Sequence, residues 1–242
     1  MPPRYPWILF DADDTLFDFG RAEAQALREA FGALGEAFDE AWLPVYQRVN
    51  AVAWRELEAG AVTPERLRVL RFERLADELG RPIDASSFSA EYLRRLAMQA
   101  HLVPGALATV RRLRPRHGLA LITNGLADVQ RPRLARSPLR DAFEQIVISE
   151  EVGVAKPDPA FFEIVLDRLG RPARADALVV GDSLTSDIAG GIAAGLDTCW
   201  FNPAGRARGD GPAAHYVIGR LNELPSLAGG PGGVPPRLPA SG

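Results

Sequence analysis

Four short segments carry side chains suited to handling a phosphoryl group. Asp11-Ala12-Asp13-Asp14-Thr15 places three carboxylates directly after the apolar run Trp7–Phe10. In an extended segment side chains alternate, so Asp11 and Asp13 project to one side. Two carboxylates that close repel, and both ionise comfortably only with a cation between them or one proton shared. Thr123-Asn124-Gly125 ends a second apolar run with a hydroxyl and a glycine, groups that suit phosphate oxygens at a strand-to-loop transition. Gly181-Asp182-Ser183 ends a third, with Asp187 following near the start of a helix. Asp11 and Asp182, hard oxygen donors from two strand ends, suit Mg2+, which takes one or two carboxylates with water and substrate phosphate. Asp187 is placed to support that metal site. The fourth segment holds Lys156, the only lysine among 28 lysines and arginines. A compact ammonium does work that a planar guanidinium does not.

Each segment has an ordinary reading too. Acidic residues after a strand form solvated turns, Asn-Gly is a common turn pair, and Asp187 suits a helix start. Asp14 is no more than a turn residue on this reading. The set carries more weight than its members. All four put the right type of group at or beyond the C-terminal end of an expected strand, the edge at which an open α/β sheet binds ligands.

The elements that must position these groups follow from the pattern of apolar runs. Trp7–Phe10, Leu119–Ile122, Gln145–Ile148, Ala177–Val180 and Thr198–Phe201 read as buried parallel strands. Helices are expected over Pro159–Leu169 and Ser186–Ala194, the first opened by Asp158 as N-cap and a proline at the first helical position. Strands alternating with helices predict an α/β fold, a doubly wound, Rossmann-like parallel sheet. Residues 19–102 are too many for one crossover helix. They show two apolar helical faces, Ala22, Ala26, Leu27, Ala30, Phe31 and Ala33, then Leu67, Leu70, Leu75 and Leu79. We expect an inserted helical cap over 19–102, an α/β core over 1–18 and 103–228, and a disordered tail over 229–242, where the chain turns to glycine and proline.

Composition narrows the partners. The net charge of −3 gives no basic excess for a nucleic acid polymer. The lone Cys199 cannot form an internal disulfide, which fits a reducing compartment. The first apolar run is too short for a signal peptide core or a membrane span, so a cytoplasmic protein without membrane contact is expected. A monomer and a homodimer are both compatible with the sequence.

Phe10-Asp11-Ala12-Asp13-Asp14-Thr15-Leu16, Thr123-Asn124-Gly125, Lys156-Pro157 and Gly181-Asp182-Ser183 to Asp187 resemble, in order and spacing, the four motifs of the haloacid dehalogenase-like hydrolases. The resemblance covers residues 7 to about 203. Phe10–Phe17, Ile148–Pro157 and Ala194–Asn202 look most like the pyrimidine 5′-nucleotidase branch, whose wording related sugar-phosphate phosphatases share. The family most often has glycine where this chain has Asp14.

The resemblance implies a mechanism. Asp11 is the nucleophile and forms an aspartyl-phosphate; Asp13 is the acid for the leaving group and then the base for water. Mg2+ is held by the side chains of Asp11 and Asp182 and the carbonyl of Asp13, with Asp187 in support. Thr123, the backbone around Asn124, and Lys156 bind the phosphate. The implied partner is a small phosphorylated metabolite, a nucleoside monophosphate. Trp42, Tyr46, Trp54, Arg68, Arg71 and Phe72 are cap candidates for meeting a base or sugar, most of them expected to pack the bundle. A dehalogenase would lack an acid at position 13. A sugar-phosphate phosphatase or phosphomutase of the same family, and a silent phosphate-binding protein, are the remaining alternatives.

Overall fold

Trp7–Phe10 (β1) is the strand on which the protein is organised, with three of its four residues fully buried. The computed structural model describes residues 3–229. Beside β1 lie β2 (Gly118–Thr123) and β4 (Ala177–Gly181); β3 (Gln145–Ile148), β5 (Asp197–Phe201) and β6 (Tyr216–Ile218) complete a six-stranded sheet. Every neighbouring pair is parallel and the order is β3-β2-β1-β4-β5-β6. Such a sheet runs outward in both directions from its first strand, and the order reverses between β1 and β4.

Five of these strands are the five expected runs, longer by a residue at some ends. β6 was not foreseen. It has three residues, and Val217 between its buried neighbours is exposed, so it offers no apolar run to read.

Helices α1 (Phe19–Ala33), α2 (Trp42–Glu58), α3 (Pro64–Leu79) and α4 (Ala85–Leu96) follow β1. Then come α5 (Ala106–Leu113) before β2, α6 (Ala127–Arg136) after it, α7 (Ser149–Val152), α8 (Pro159–Arg168), α9 (Ala189–Ala193) and α10 (Leu224–Ala228). No helix among the described residues is long and apolar enough to cross a membrane.

The chain divides into two compact units. Of the described residues, 3–18, His101–Gly125 and 137–229 form the first; Phe19–Ala100 and Leu126–Arg136 form the second. The last segment departs from the expected boundaries, which kept all of 103–228 together. Leu126 and Val129 bury their side chains among the helical residues, and this contact decides where α6 belongs. Of the expected tail, Gly229 follows α10 and residues 230–242 lie outside the described residues.

In the sheet unit, Leu9, Ile122, Val147 and Val179 pack with Phe161, Phe162 and Val165 of α8. Asp158 caps that helix, accepting from the Ala160 amide, with Pro159 at its first position, as the sequence suggested. The helix expected over Ser186–Ala194 is instead a π turn, Leu184–Ile188, leading into the short α9. Gly190 and Gly191 lie so close to Phe162, Pro157 and Thr198 that side chains there would collide. Gly195, at φ 71°, then ends the run.

The helical unit is built around aromatic rings. Tyr46 stacks on Phe72 with centroids 5.5 Å apart, and Phe88, Tyr92 and Phe31 close the cluster. Of the expected apolar faces, Ala33 is exposed, while Ala22, Ala26, Leu27, Ala30, Phe31, Leu67 and Leu75 are buried. Thr63 caps α3 by accepting from the Arg66 amide, Pro64 opens it, and Gly80 at φ 60° closes it. Truncating the central ring, Phe72→Ala, should cost about 3–5 kcal/mol of stability through lost burial and the cavity left behind. Urea unfolding measures this; a loss below about 1 kcal/mol would mean the ring does not hold the bundle together.

Candidate active site

The reversal of strand order between β1 and β4 leaves a crevice at their C-terminal ends, where parallel sheets of this kind bind ligands. Asp11 is the first residue after β1, and its amide donates to the Val180 carbonyl (2.9 Å), tying it to β4. Asp182 is the first residue after β4, and Asp187 sits on the π turn beyond it. Two adjacent strands therefore deliver carboxylates to one place.

Lys156 arrives from the loop between α7 and α8. The Asn124 side chain fixes its backbone on both sides: Nδ2 donates to the Lys156 carbonyl (2.8 Å), and Oδ1 accepts from the Lys156 amide (2.9 Å). Its Nζ donates to Asp11 Oδ1 (2.6 Å), Asp187 Oδ1 (2.6 Å) and the Ile122 carbonyl (3.1 Å). An ammonium has three protons to give, and all three have acceptors in a site where Lys156 is 2% exposed. A planar guanidinium could not converge on three such acceptors from one nitrogen.

Asp187 is fixed at both oxygens. Oδ1 accepts from Lys156, and Oδ2 accepts from the Ser183 amide (3.1 Å). Gly181 makes room for it, because a Cβ there would overlap the Asp187 carboxylate. Asp182 is held mainly through its carbonyl, which accepts from Trp200 Nε1 (2.9 Å) and from Arg206 Nη2 (2.9 Å). The same Arg206 nitrogen also reaches Asp182 Oδ2 (3.2 Å).

Asp11, Asp182 and Asp187 each offer a carboxylate oxygen, and these oxygens lie within 4.8 Å of one another. Burial pushes the Asp11 carboxyl well above the usual range; Lys156 pulls it down, while Asp187 and Asp182 push it up. Burial, followed by the charges of Asp187 and Asp14, pushes Asp182 up to about 6, against the opposing pull of Arg206. For Lys156, burial works against the charged form, but Asp11 and then Asp187 outweigh it and hold the ammonium well above its ordinary value. The ammonium is thus secure and the carboxylates are under-neutralised. A cluster of hard oxygen donors with excess negative charge fits a divalent cation such as Mg2+.

The other expected site residues, Asp13, Thr123 and Asn124, follow or end β1 and β2. Asp13 is half-buried two residues beyond Asp11 and is not one of the three converging carboxylates. Thr123 is buried and its Oγ1 accepts from the Gly125 amide (3.0 Å), which leaves its own hydroxyl proton to donate. The Asn124 side chain is spent on the Lys156 backbone, so only its main chain remains for a phosphate. Asp14 adopts φ 58°, a left-handed conformation that glycine takes freely and aspartate tolerates.

Among the candidates in the helical region, Tyr46, Arg71 and Phe72 are buried, and Trp42 and Trp54 pack against the same core. Arg68 pairs with Asp128 (2.8 Å). Arg206 was missed. Asn202-Pro203 after a strand signals a turn, but no periodic pattern marks which later residue folds back onto Asp182.

Residues 5–195 match the haloacid dehalogenase-like hydrolase family. The chain is 38% identical over 224 residues to pyrimidine 5′-nucleotidase YjjG of Escherichia coli (strain K12), covering 93% of this chain and 98% of that protein. Pyrimidine 5′-nucleotidase PynA of Streptococcus pneumoniae (strain ATCC BAA-255 / R6) is 37% identical over 200 residues, 82% of this chain and 84% of its own. The crystal structure of the HAD-hydrolase YfnB from Bacillus subtilis, bound to magnesium, superposes with a TM-score of 0.88 at 36% identity, covering 93% of this chain and 99% of that one. A family match over most of the chain, with relatives of this similarity along nearly its whole length, means that this protein belongs to the haloacid dehalogenase-like hydrolases.

Proposed function

We propose that the protein is a Mg2+-dependent phosphomonoesterase that works through an aspartyl-phosphate on Asp11, with pyrimidine nucleoside 5′-monophosphates as substrates. The observation that carries this reading is the buried Lys156 ammonium held between Asp11 and Asp187 with Asp182 converging beside them. YjjG and PynA are named pyrimidine 5′-nucleotidases, which supports the substrate, and YfnB was crystallised with magnesium, which supports the metal.

The proposed chemistry divides among this chain's own residues. A carboxylate oxygen of Asp11 attacks phosphorus, and the ester P–O bond breaks. Asp13 gives its proton to the departing alkoxide. Asp13 then takes a proton from water, whose oxygen attacks phosphorus and releases inorganic phosphate with the Asp11 carboxylate restored.

Lys156 holds the nucleophile's orientation and offsets negative charge on the phosphoryl oxygens as it builds. Thr123 donates its hydroxyl proton to one of those oxygens. Asp11, Asp182 and Asp187, with the Asp13 carbonyl, would hold Mg2+, which offsets repulsion between the nucleophile and a dianionic phosphate. The groups gathered in the sheet unit account for the phosphoryl end of the substrate alone.

Phosphate release is the direct test. With a panel of nucleoside and sugar monophosphates, turnover should require Mg2+, stop with EDTA, and give the highest kcat/KM for pyrimidine nucleotides. A preference for sugar phosphates would overturn the substrate. Transfer between sugar positions with little free phosphate would indicate a mutase, and binding without turnover would indicate a silent ligand-binding protein. Asp11→Asn should abolish turnover while leaving the circular dichroism spectrum unchanged; substantial residual Mg2+-dependent activity would remove Asp11 from the nucleophile's place.

Lys156→Arg keeps the charge but not the three-way convergence. We expect kcat to fall by about 100-fold or more, the scale on which removing one aligned donor acts. Activity within about threefold of the parent would show that charge alone suffices at this position. Gly181→Ala removes no functional group, yet its methyl would displace the Asp187 carboxylate, so activity and Mg2+ binding should both drop. If titration calorimetry finds Mg2+ binding unchanged, Asp187 is not part of the ion's surroundings.

A further inference from the structure

Asp182 is held in place by a loop that appears in no phosphate-site motif of the sequence. β5 ends at Phe201, and Asn202, largely buried, donates its amide to the Ile218 carbonyl (2.8 Å). The Asn202 side chain then grips the backbone of Arg206 from both sides. Its Oδ1 accepts from the Arg206 amide (2.8 Å), and its Nδ2 donates to the Arg206 carbonyl (2.9 Å). Gly205, at φ 62°, supplies the left-handed step that closes the turn. This is the same device that Asn124 applies to Lys156: an asparagine amide saturates both main-chain groups of a cationic residue and so fixes where its side chain starts.

From that fixed base, one nitrogen of Arg206 reaches both the carbonyl and the carboxylate of Asp182, at 2.9 and 3.2 Å. Trp200, also on β5, donates to the same carbonyl. The backbone of Asp182 is thereby pinned twice and its side chain once. Only Oδ2 is engaged in the pair with Arg206, which leaves the carboxylate's other oxygen for a further partner. Asp187 and Asp11 each have a hydrogen bond from Lys156 to orient them; Asp182 has Arg206 instead.

We propose that Arg206 is a positioning residue for Mg2+ binding: it fixes the orientation of Asp182 so that this carboxylate faces the ion with Asp11 and Asp187. The inference rests on the reading of Asp182 as a metal ligand. Outer partners that hydrogen-bond a ligating carboxylate govern affinity through geometry. Charge acts in the opposite direction, since removing a cation beside an acidic site favours another cation. The Arg206 side chain is 54% exposed, so solvent and salt screen its field, and the geometric contribution is the larger. The sign of the effect therefore separates the two roles.

The test is Mg2+ binding to the intact protein by titration calorimetry, together with kinetics on the substrate that gives the highest turnover. For Arg206→Ala the Mg2+ dissociation constant should rise by about 10-fold or more. The thermal midpoint without Mg2+, the kcat at saturating Mg2+ and the KM for the phosphate ester should stay close to the parent's. Arg206→Lys, which keeps one charged donor, should recover part of the affinity.

Tighter Mg2+ binding in Arg206→Ala would make Arg206 a competitor for Asp182 and overturn the proposal. Unchanged Mg2+ affinity with a raised KM would overturn it in favour of direct contact with substrate. Failure of the parent protein to bind Mg2+ at all would instead bring down the metal reading of the site, on which this inference stands.

Discussion

A buried ammonium between two buried carboxylates is the interaction on which this site depends. Lys156 is as enclosed as any core residue, yet it keeps its charge because Asp11 and Asp187 are within 2.6 Å. Removing the lysine would leave two carboxylates facing each other in a medium that cannot solvate them. Such a triad therefore forms only when the surrounding fold brings its three members together, and it ties β1, the loop before α8 and the turn after β4 to one point. The asparagine clamp on the Lys156 backbone, the glycine that gives Asp187 room and the Ser183 amide on its far oxygen all serve that convergence.

The sheet explains why these groups meet. Parallel strands present all their C-terminal ends on one edge, and the chain runs outward from β1 in both directions. The strand order reverses between β1 and β4, the point at which sheets of this kind bind ligands. A carboxylate placed one residue after each of these two strands must then face its counterpart. The Asp11 amide, bonded to the Val180 carbonyl, carries the sheet's register into the site, so the spacing of the acids is inherited from backbone pairing.

What could be read from the sequence divides along physical lines. Continuous apolar runs gave five of the six strands because a strand buried on both faces has no other composition. β6 lacked that signature, having three residues with an exposed Val217 in the middle. The positions of Asp11 and Asp182 were legible because each follows a strand whose end the sequence marks, and Lys156 stood out as the only lysine in the sequence. Arg206 was not legible, because its position depends on a turn closed by Asn202 and Gly205 rather than on a strand end. The grouping of α6 with the helical unit was hidden for a related reason: Leu126 and Val129 are ordinary apolar residues, and only their contacts say which core they join. The clamp of the Asn124 side chain on the Lys156 backbone was hidden as well, because an amide's partners are a matter of three-dimensional placement.

Asp14 shows how far the site departs from what stability alone would select. Its backbone sits at φ 58°, where a glycine would be unstrained and a side chain is tolerated at some cost. Its charge also pushes the Asp182 carboxyl further up, adding to what burial and Asp187 do. Counting charges near the crevice, Asp11, Asp14, Asp182 and Asp187 face Lys156 and Arg206, an excess of two negative charges among these six residues. A fold that needed only to be stable would have replaced one of these acids or added a second buried base. Retaining the excess makes sense if the missing positive charge comes from outside the chain, and a doubly charged ion would balance it.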